Sequence, residues 1–547
     1  MVGIFSSFSI ARQGLAAQQT GLQVSAQNIA NANTEGYTRQ QVVLQPTTPQ
    51  VQAFGPVGTG VQVEEVRSLR DRFLDSQINT ERGLMGELET KGNILAQVEA
   101  VFNEAGGEGL NAILQEFFAA FQGLASEPQS PSERINLQSQ AQGLTEAFNR
   151  MATDLKDLQK DQDRVIPNAL IEINELTGQI ADLNHEIQFL ETSGHAANEL
   201  RDERNRLLGD LSELIQVDTL EDSRGQLVIL AGKGKVLVEG AASWKLQGVA
   251  NPQNENLLDV RVRGADGQLA DLTSEIVGGV LKGSLDVRDD VIPGLTDKLD
   301  RLAATLVKEV NARHIQGFGL DGSTGNNFFA SLRVTIEAEE GNGGTLSGSL
   351  FDPTALTLDD YQVTFDGVAY TVTNQTNGVP VGSFAGTSFS FEGITLTVGA
   401  GGQAGDRFVV NTRRGAAEGI QMDAGIARNA NKIAAATDRV ALPGDNRNAL
   451  ALARLGEARV MEAGTATFHG FYGALVEEVG VEVRSVTRSF KLQEGVLEQL
   501  QNQRESISGV SLDEEAMNIV RFQRAFQATA QVIRAVDDLL EEVINIL

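Results

Sequence analysis

The chain contains no cysteine among its 547 residues, and it has only one tryptophan and four tyrosines. The missing thiols exclude disulfide bonds, thiolate nucleophiles and cysteine-based zinc sites. The few Trp and Tyr residues argue against a sugar-cleaving enzyme, whose site is usually lined with aromatic side chains. Carboxylates are plentiful, so composition alone leaves open a hydrolase with two catalytic acids.

Basic residues are also scarce, with 44 Lys and Arg against 73 Asp and Glu and a net charge of −29. Nucleic acids and anionic membranes both require clustered Lys and Arg, so we expect neither as a partner. No apolar run reaches the roughly 18 residues of a membrane-spanning helix. Residues 1–25 also lack the basic and apolar regions of a secretory signal. We therefore expect a protein that is cytosolic or is exported without a cleaved signal peptide.

Charge is missing locally as well, because no Asp, Glu, Lys or Arg occurs from Gln13 through Thr34. Large apolar residues recur every seven positions through residues 3–33, and this spacing predicts one amphipathic helix with a coiled-coil-like stripe. The stripe consists of Phe8, Leu15, Leu22 and Ile29. We expect the helix to end between Asn33 and Gly36, because Asn and Gly tolerate the left-handed conformation of a helix C-cap.

The end of the chain has a similar pattern, with apolar residues at alternating spacings of three and four. The stripe includes Ile519, Phe522, Phe526, Ile533, Val536 and Leu540. Ser511 and Glu514 have the spacing of a capping box, which predicts a helix N-terminus there. The simplest architecture pairs this closing helix with the opening one. Two unrelated core helices are the alternative.

Between the termini the pattern alternates between long helices and β segments. Helical periodicity covers about 67–215, 286–315 and the chain from 415, whereas 216–280 and 331–413 have strand character. Ser130 and Pro131, with Glu133, predict that a new helix begins there. In the second β region, Asp366-Gly367 and Glu392-Gly393 predict the two-residue turns of two hairpins. The predicted fold class is α+β, mainly α, with long helical rods, paired terminal helices and inserted β-rich subdomains. The predicted domains are a terminal helical domain (1–50 and 506–547), a rod domain (51–215, 281–330 and 414–505), a small β subdomain (216–280) and an outward β domain (331–413).

Motifs for catalysis or cofactor binding are weak. His185 and Glu186 begin a zinc-protease pattern, but Phe189 occupies the position of the second His. The other histidines are His195, His314 and His469. The sequence GFGLDG at 317–322 matches a dinucleotide pattern but follows a predicted helix, whereas that motif requires a preceding strand. We expect no catalytic residues, no metal site and no cofactor.

Two stretches resemble the axial proteins of the bacterial flagellum. SAQNIANANTEGYTRQ, residues 25–40, is similar to the motif that closes the first helix of rod and hook proteins. GVSLDEEAMNIVRFQRAFQATAQVI, residues 509–533, is similar to the closing motif of the first hook–filament junction proteins, with Phe526 where Tyr is commoner. Segments 58–77, 197–217, 278–303 and 442–455 agree with that family. Between about 331 and 405 we expect an insert that is individual to this chain.

The resemblance implies a structural protein without enzymatic activity that forms a ring between hook and filament. It implies contacts with hook protein and with the second hook–filament junction protein, and an export chaperone on the C-terminal helix. It also implies type III export to the extracellular flagellum without a cleaved signal. The alternatives are another axial protein, such as hook protein or a flagellin-like protein, or a secreted hydrolase associated with the flagellum.

The helical stripes and the resemblance together predict one group of assembly residues at the two termini. The predicted group is Phe8, Leu15, Leu22, Asn28, Ile29, Asn31, Asn33, Gly36, Tyr37, Ile519, Phe522, Phe526, Ile533, Val536 and Leu540.

Overall fold

A computed structural model of the chain describes residues 2–52, 55–102, 109–193, 196–222, 225–264 and 267–546. His195 lies outside these ranges. The predicted class is confirmed, since the chain is 56% helical with 19% strand. Within the described ranges, no helix is both long and apolar enough to cross a bilayer.

The helices differ widely in length. They are α1 (Val2–Ala30), α2 (Arg72–Val101), α3 (Leu110–Ser126), α4 (Pro131–Thr192), α5 (Asn198–Leu214), α6 (Gly279–Asp286), α7 (Ile292–His314), α8 (Ala416–Gly419), α9 (Ala424–Arg428), α10 (Arg447–Ala453), α11 (Phe468–Ser508) and α12 (Leu512–Ile546). The predicted pairing of the terminal helices is confirmed, because α1 packs along α12.

The strands form small antiparallel sheets. They are β1 (Gln40–Pro46), β2 (Gln50–Gln52), β3 (Gly55–Val57), β4 (Val61–Ser68), β5 (Val217–Glu221), β6 (Leu227–Ala231), β7 (Lys235–Glu239), β8 (Ala242–Ser243), β9 (Leu246–Asn251), β10 (Leu257–Arg263), β11 (Leu269–Asp271), β12 (Thr335–Ala338), β13 (Leu346–Leu350), β14 (Tyr361–Phe365), β15 (Tyr370–Asn374), β16 (Pro380–Phe384), β17 (Ser388–Phe391), β18 (Ile394–Val398) and β19 (Arg407–Asn411). Their orders are β1-β4, β2-β3, β5-β6-β7-β8, β11-β10-β9, β12-β19-β14-β15-β16 and β13-β18-β17.

The longest rod, α4, begins where the sequence places a helix start. Pro131 occupies the first turn, where its missing N–H costs nothing, and the Ser130 side chain accepts a hydrogen bond from the Glu133 N–H at 3.4 Å. Its buried face and those of α2, α3, α7, α10 and α11 enclose the largest hydrophobic core. Phe117 packs there against Phe328, with their ring centroids 5.8 Å apart.

A buried arginine joins the rods to the small β subdomain. The helix predicted over 286–315 is interrupted, because a wide helical turn at Val287–Val291 separates α6 from α7. Arg288 in this turn is fully buried, and its guanidinium lies 2.7 Å from carboxylate oxygens of both Asp163 and Asp289. It also donates to the Leu258 carbonyl at 2.8 Å, which ties α4, β10 and α7 together.

The second β region confirms one predicted hairpin turn and corrects another. Glu392 and Gly393 link β17 to β18 and have φ of 40° and 83°, as expected for a two-residue turn with left-handed backbone. The two-residue turn predicted at Asp366-Gly367 is wrong. Phe365 pairs with Tyr370, so the loop has four residues. The Asp366 carboxylate accepts bonds from the Val368 and Ala369 N–H groups at 2.8 and 2.7 Å, which stabilises the longer loop.

The β domain returns to the rods at a buried carboxylate on α7. Asp300 accepts hydrogen bonds from the Gly415 and Ala417 N–H groups at 2.7 and 2.8 Å. Burial raises the pKa of its carboxyl from 3.8 to about 6, even though these two donors favour the charged form.

Because the pKa of Asp300 is higher in the folded state than in the unfolded state, its protonated form stabilises the fold. This contribution to the free energy of unfolding is lost as pH rises from 3.8 to about 6. At about 1.4 kcal/mol per pKa unit, the loss is about 3 kcal/mol. Asp300→Asn does not titrate, so its free energy of unfolding should fall less across that window than the unsubstituted chain's. Denaturation with guanidinium at several pH values tests this, and parallel profiles for the two proteins would contradict it.

Candidate assembly site

The two terminal helices run antiparallel, and small residues of α1 form their contact. Gly14 lies against Thr529 and Gly21 against Phe522, so the two chains progress in opposite directions. A Cβ atom at Gly21 would lie 2.6 Å from Phe522 Cε1, closer than atoms can pack. The Phe522 ring therefore occupies the space that a side chain at position 21 would need.

The buried side of α1 differs from the large apolar stripe read from the sequence. Small or polar residues occupy most of it, with Val24 the largest apolar member. The buried positions are Ala11, Ala17, Gly21, Val24, Ser25 and Asn28. Leu15, Leu22 and Ile29 are half-buried beside this seam, and Phe8 is exposed. Close approach of the two backbones explains the difference, since large side chains would hold the helices apart.

The predicted residues of α12 are mostly half-buried. Val536 is buried, whereas Ile519, Phe522, Phe526, Ile533 and Leu540 keep part of their surface exposed. The predicted cap is present in part, because the Ser511 Oγ accepts from the Glu514 N–H at 3.5 Å. The Glu514 carboxylate does not complete the capping box and pairs with Arg39 instead.

A third face of α1 was missed by the sequence analysis. Its exposed residues recur at spacings of three and four, and Arg12 is the only charged one among them. They are Phe5, Phe8, Arg12, Ala16, Gln19, Gln23, Ala26 and Ala30. We call this set the outer face of α1. The helical spacing of its alanines and glutamines is visible in the sequence, but the spacing does not show that this face is exposed. The face is identified by the structure, in which α12 and the β1–β4 hairpin cover the other two sides of α1.

Asn28 explains the Asn-rich end of the opening motif. It is 1% exposed, and its carboxamide pairs with the backbone of Gln40: Nδ2 donates to the Gln40 carbonyl at 2.9 Å, and the Gln40 N–H donates to Oδ1 at 3.0 Å. The Tyr37 hydroxyl also donates to Oδ1 at 2.9 Å. A carboxamide offers a donor and an acceptor side by side, so it completes the hydrogen bonding of β1 as a neighbouring strand would.

Residues 37–40 also contact the start of α12 and the rod helices α5 and α11. Arg39 contacts Glu514 at 2.6 Å and the buried Glu515 at 2.8 Å, and its N–H donates to the Ser508 carbonyl at 2.9 Å. The Thr38 N–H donates to Asp202 of α5 at 2.9 Å. Burial raises the pKa of Asp202, and burial with nearby carboxylates raises the pKa of Tyr37 to about 12, so its hydroxyl remains a donor.

The remaining predicted residues lie around this joint. Gly36 has φ of 79°, the left-handed conformation expected from its position after the helix. Asn31 donates to the Gln27 carbonyl at 3.1 Å, and Asn33 is exposed. These residues line one side of a polar cleft of about 850 Å³, whose other side includes Arg82 and Arg504.

The chemistry of the site is that of a packed joint. In the described part of the chain, no group of three or more His, Asp or Glu side chains is arranged to hold a metal ion. The charged groups at the joint are mostly paired. They therefore hold the terminal helices and the rods together and fix their relative orientation.

Comparison with known proteins gives matches along most of the chain. Residues 95–329 match the family described as "Flagellar hook-associated protein FlgK helical domain", and 336–412 match "Flagellar hook-associated protein 1, D2-like domain". Residues 8–38 match "Flagella basal body rod protein", and 501–546 match "Flagellar basal body rod FlgEFG protein C-terminal". The expectation of an individual insert near 331–405 is therefore wrong, because most of that segment is itself a family domain.

Curated relatives that match over almost their whole length are named flagellar hook-associated protein 1. The chain is 29% identical over 553 residues to flagellar hook-associated protein 1 of Salmonella typhimurium, covering 98% of this chain and 99% of the relative. It is 27% identical to the Bacillus subtilis protein of that name, covering 100% and 99%. The solved structure of the flagellar hook junction protein FlgK from Burkholderia pseudomallei has the same fold, with a TM-score of 0.67 and 23% identity over 79% of this chain and all of that one.

The fold and the matches define the class as a structural protein of the bacterial flagellum, which is not a class of enzymes. Within that class, the chain is similar along its whole length to the flagellar hook-associated protein 1 family. Members of this family assemble in the flagellum with other hook and junction proteins.

The contact of Gly21 with Phe522 can be tested against that of Gly14 with Thr529. Gly21→Ala should weaken the helix pair by about 1–3 kcal/mol, because the added methyl meets the Phe522 ring. Gly14→Ala has room, with Thr529 Cγ2 at 3.5 Å. It should stabilise α1 by up to about 1 kcal/mol through helix propensity. Thermal unfolding followed by circular dichroism measures both changes, and equal effects would contradict the close contact.

Asn28→Ala should destabilise the chain by about 2–4 kcal/mol. It leaves the buried N–H and C=O of Gln40 without partners, and each unpaired group costs about 1–3 kcal/mol. Asn33→Ala is the matched control at an exposed position of the same motif and should change stability by less than about 0.5 kcal/mol. Guanidinium denaturation gives both values, and a neutral Asn28→Ala would disprove the backbone-pairing role.

Proposed function

We propose that the protein forms a ring that joins the hook to the filament, and that copies associate through their terminal helices. The observation that carries this proposal is the outer face of α1. It is exposed in the single chain and carries one charge, in a protein where 21% of residues are charged. A surface that is to be buried cannot keep unpaired charges, because their desolvation is costly, whereas Gln and Ala cost little.

The assembly group predicted from the sequence keeps a role in this proposal. Half-buried Leu22 and Ile29 flank the seam with α12, so neighbouring copies could cover their remaining surface. Burial of apolar area contributes roughly 25 cal/mol per Å². That gain offsets the loss of conformational freedom when the terminal helices become fixed. Asn28, Gly36 and Tyr37 set the direction in which the chain leaves the ring of helices.

The finer partners are hook protein on one side of the ring and the second hook–filament junction protein on the other. An export chaperone binds α12. This part of the proposal is supported by the apolar side chains that α12 exposes in the single chain. They are Leu512, Met517, Val520, Val532 and Leu539. We place the protein outside the cell on the flagellum, exported without a cleaved signal peptide.

The domains predicted from the sequence fit this arrangement. Separate hydrophobic cores lie within the rods, within the small β subdomain with part of α4 and α5, and within the second β region. We propose that the terminal helices lie innermost, the rods around them and the β domain of 331–413 outermost. We assign the protein no catalytic activity. A muramidase assay on the purified chain tests the alternative of a flagellum-associated hydrolase.

Ala26 on the outer face of α1 tests the assembly proposal. Ala26→Glu should leave the fold intact, because the position is exposed, but should block assembly by placing a charge in the contact. Ala119→Glu, at an exposed alanine within α3, is the matched control. Leu22→Glu and Ile29→Glu should block assembly as well.

Electron microscopy of flagella from cells that carry each variant as their sole copy provides the readout. Hooks without filaments are expected for Ala26→Glu and normal filaments for Ala119→Glu. Normal filaments with all three terminal-helix variants would refute assembly through these helices.

A further inference from the structure

Helix α4 presents an exposed stripe with acidic and apolar residues. Its members are Ile171, Glu175, Asp182, Glu186 and Phe189, spaced by four, seven, four and three residues, so they share one side of the helix. Ile171 is 57% exposed and Phe189 is 71% exposed. No Lys or Arg occurs from 165 through 200. We call this set the acidic stripe.

Helix α11 presents an exposed stripe of the opposite charge. Its members are Val481, Arg484, Arg488, Lys491 and Leu492, again on one side of the helix. Leu492 is 67% exposed, and no Asp or Glu occurs from 483 through 493. We call this set the basic stripe. Such a cluster is unusual in a chain with a net charge of −29.

Neither stripe is neutralised within the described part of the chain. The charged groups of both stripes form no ion pair there, whereas Arg201 of α5 pairs with Glu191, near the end of α4, and with Glu221, each at 2.7 Å. Exposed charges of one sign on one helix face repel each other and destabilise the isolated helix slightly. An external surface of the opposite sign would remove that repulsion.

The two stripes belong to helices on different sides of α2. α11 packs on α2, and α2 packs on both α4 and α5. The acidic stripe spans 18 residue steps and the basic stripe spans 11, or about 27 and about 17 Å at 1.5 Å per residue. The shorter stripe therefore fits within the longer one, with apolar side chains in both.

We propose that the basic stripe of one copy docks on the acidic stripe of the next copy. The proposal rests on the ring assembly described above and names the surfaces through which the rods would meet. The contact joins two different patches, so it is heterologous, and repetition closes a ring when the rotation between copies permits. The exposed apolar residues supply burial, and the charges supply register and discrimination against a like-charged face.

A second copy is the occupant that the charges favour. Elsewhere two copies of so acidic a chain repel each other, whereas these stripes attract. The attraction should weaken with salt, because exposed charges are screened beyond about 10 Å at 0.1 M ionic strength.

A swap of charge between the stripes tests the pairing without assuming which base meets which acid. Arg484→Glu, Arg488→Glu and Lys491→Glu together should reduce the number of filaments per cell by at least about tenfold. Glu175→Lys, Asp182→Lys and Glu186→Lys together should do the same. All six substitutions in one chain should restore filaments to within about twofold of the unsubstituted level. Normal filaments with either triple variant would overturn the pairing. So would a variant with all six substitutions that does not regain filaments.

Photo-crosslinking identifies the occupant. A benzoylphenylalanine residue replaces Leu492 in the full chain, and isolated hook–filament junctions are irradiated. A product of twice the chain's mass, joined to a peptide of α4, supports the proposal. Capture of another protein, of another segment of this chain, or of nothing overturns it. The same residue in place of Val440, which is 91% exposed, controls for non-specific capture.

Failure of this contact can be told apart from failure of the proposed function. Antibody labelling of the unsubstituted protein should mark the boundary between hook and filament. Label at that boundary without the α4 crosslink would overturn the stripe contact alone, and label elsewhere would overturn the junction role itself.

Discussion

The pairing of the Asn28 carboxamide with the Gln40 backbone determines how the opening helix is attached to the rest of the protein. It fixes the first residue of β1 against α1, so the hairpin of β1 and β4 lies along the helix. From that fixed point Arg39 reaches Glu514 and Glu515, and Thr38 reaches Asp202. The two ends of the chain therefore meet the rods at one place.

Burial makes this joint depend on complete pairing. A carboxamide that is 1% exposed cannot exchange its partners for water, so the loss of any one leaves an unsatisfied group. The same principle applies to Arg288, whose charge is matched by Asp163 and Asp289 where α4, β10 and α7 converge. At both places paired polar groups, rather than apolar area, connect segments that are distant in the sequence.

Much of the architecture was predictable because periodicity and caps are local. The seven-residue spacing of Phe8, Leu15 and Leu22 predicted a helix, and Ser130-Pro131 predicted where α4 begins. The seam of small residues was not predictable, because Gly21 indicates a close approach only when its partner, Phe522, is known. The role of Asn28 depends on a backbone that folds back twelve residues later. The interruption before α7 depends on the burial of Arg288, which involves α4 and β10.

Charge is distributed in relation to the proposed surroundings of each part. The outer face of α1, which we propose to contact neighbouring copies, carries one charge, that of Arg12. The surfaces of the rods carry many charged side chains, and many of these form ion pairs within the chain. The acidic and basic stripes differ from the other charges of the rods because each places charges of one sign, without an ion-pair partner among the described residues, on one side of a helix. In this view, exposed groups that lack partners mark the contacts on which assembly depends.

Both connections of the second β region are anchored on α7. Asn311 accepts bonds from the Phe328 and Phe329 N–H groups at 2.9 Å where the chain leaves the rods, and Asp300 accepts those of Gly415 and Ala417 where it returns. The anchors are eleven residues apart on one helix, or about 17 Å. A drag force on the β region would therefore be delivered to a single rod. Insertions, deletions or whole replacements between these anchors could change what the flagellum displays to its surroundings while the structural scaffold stays the same.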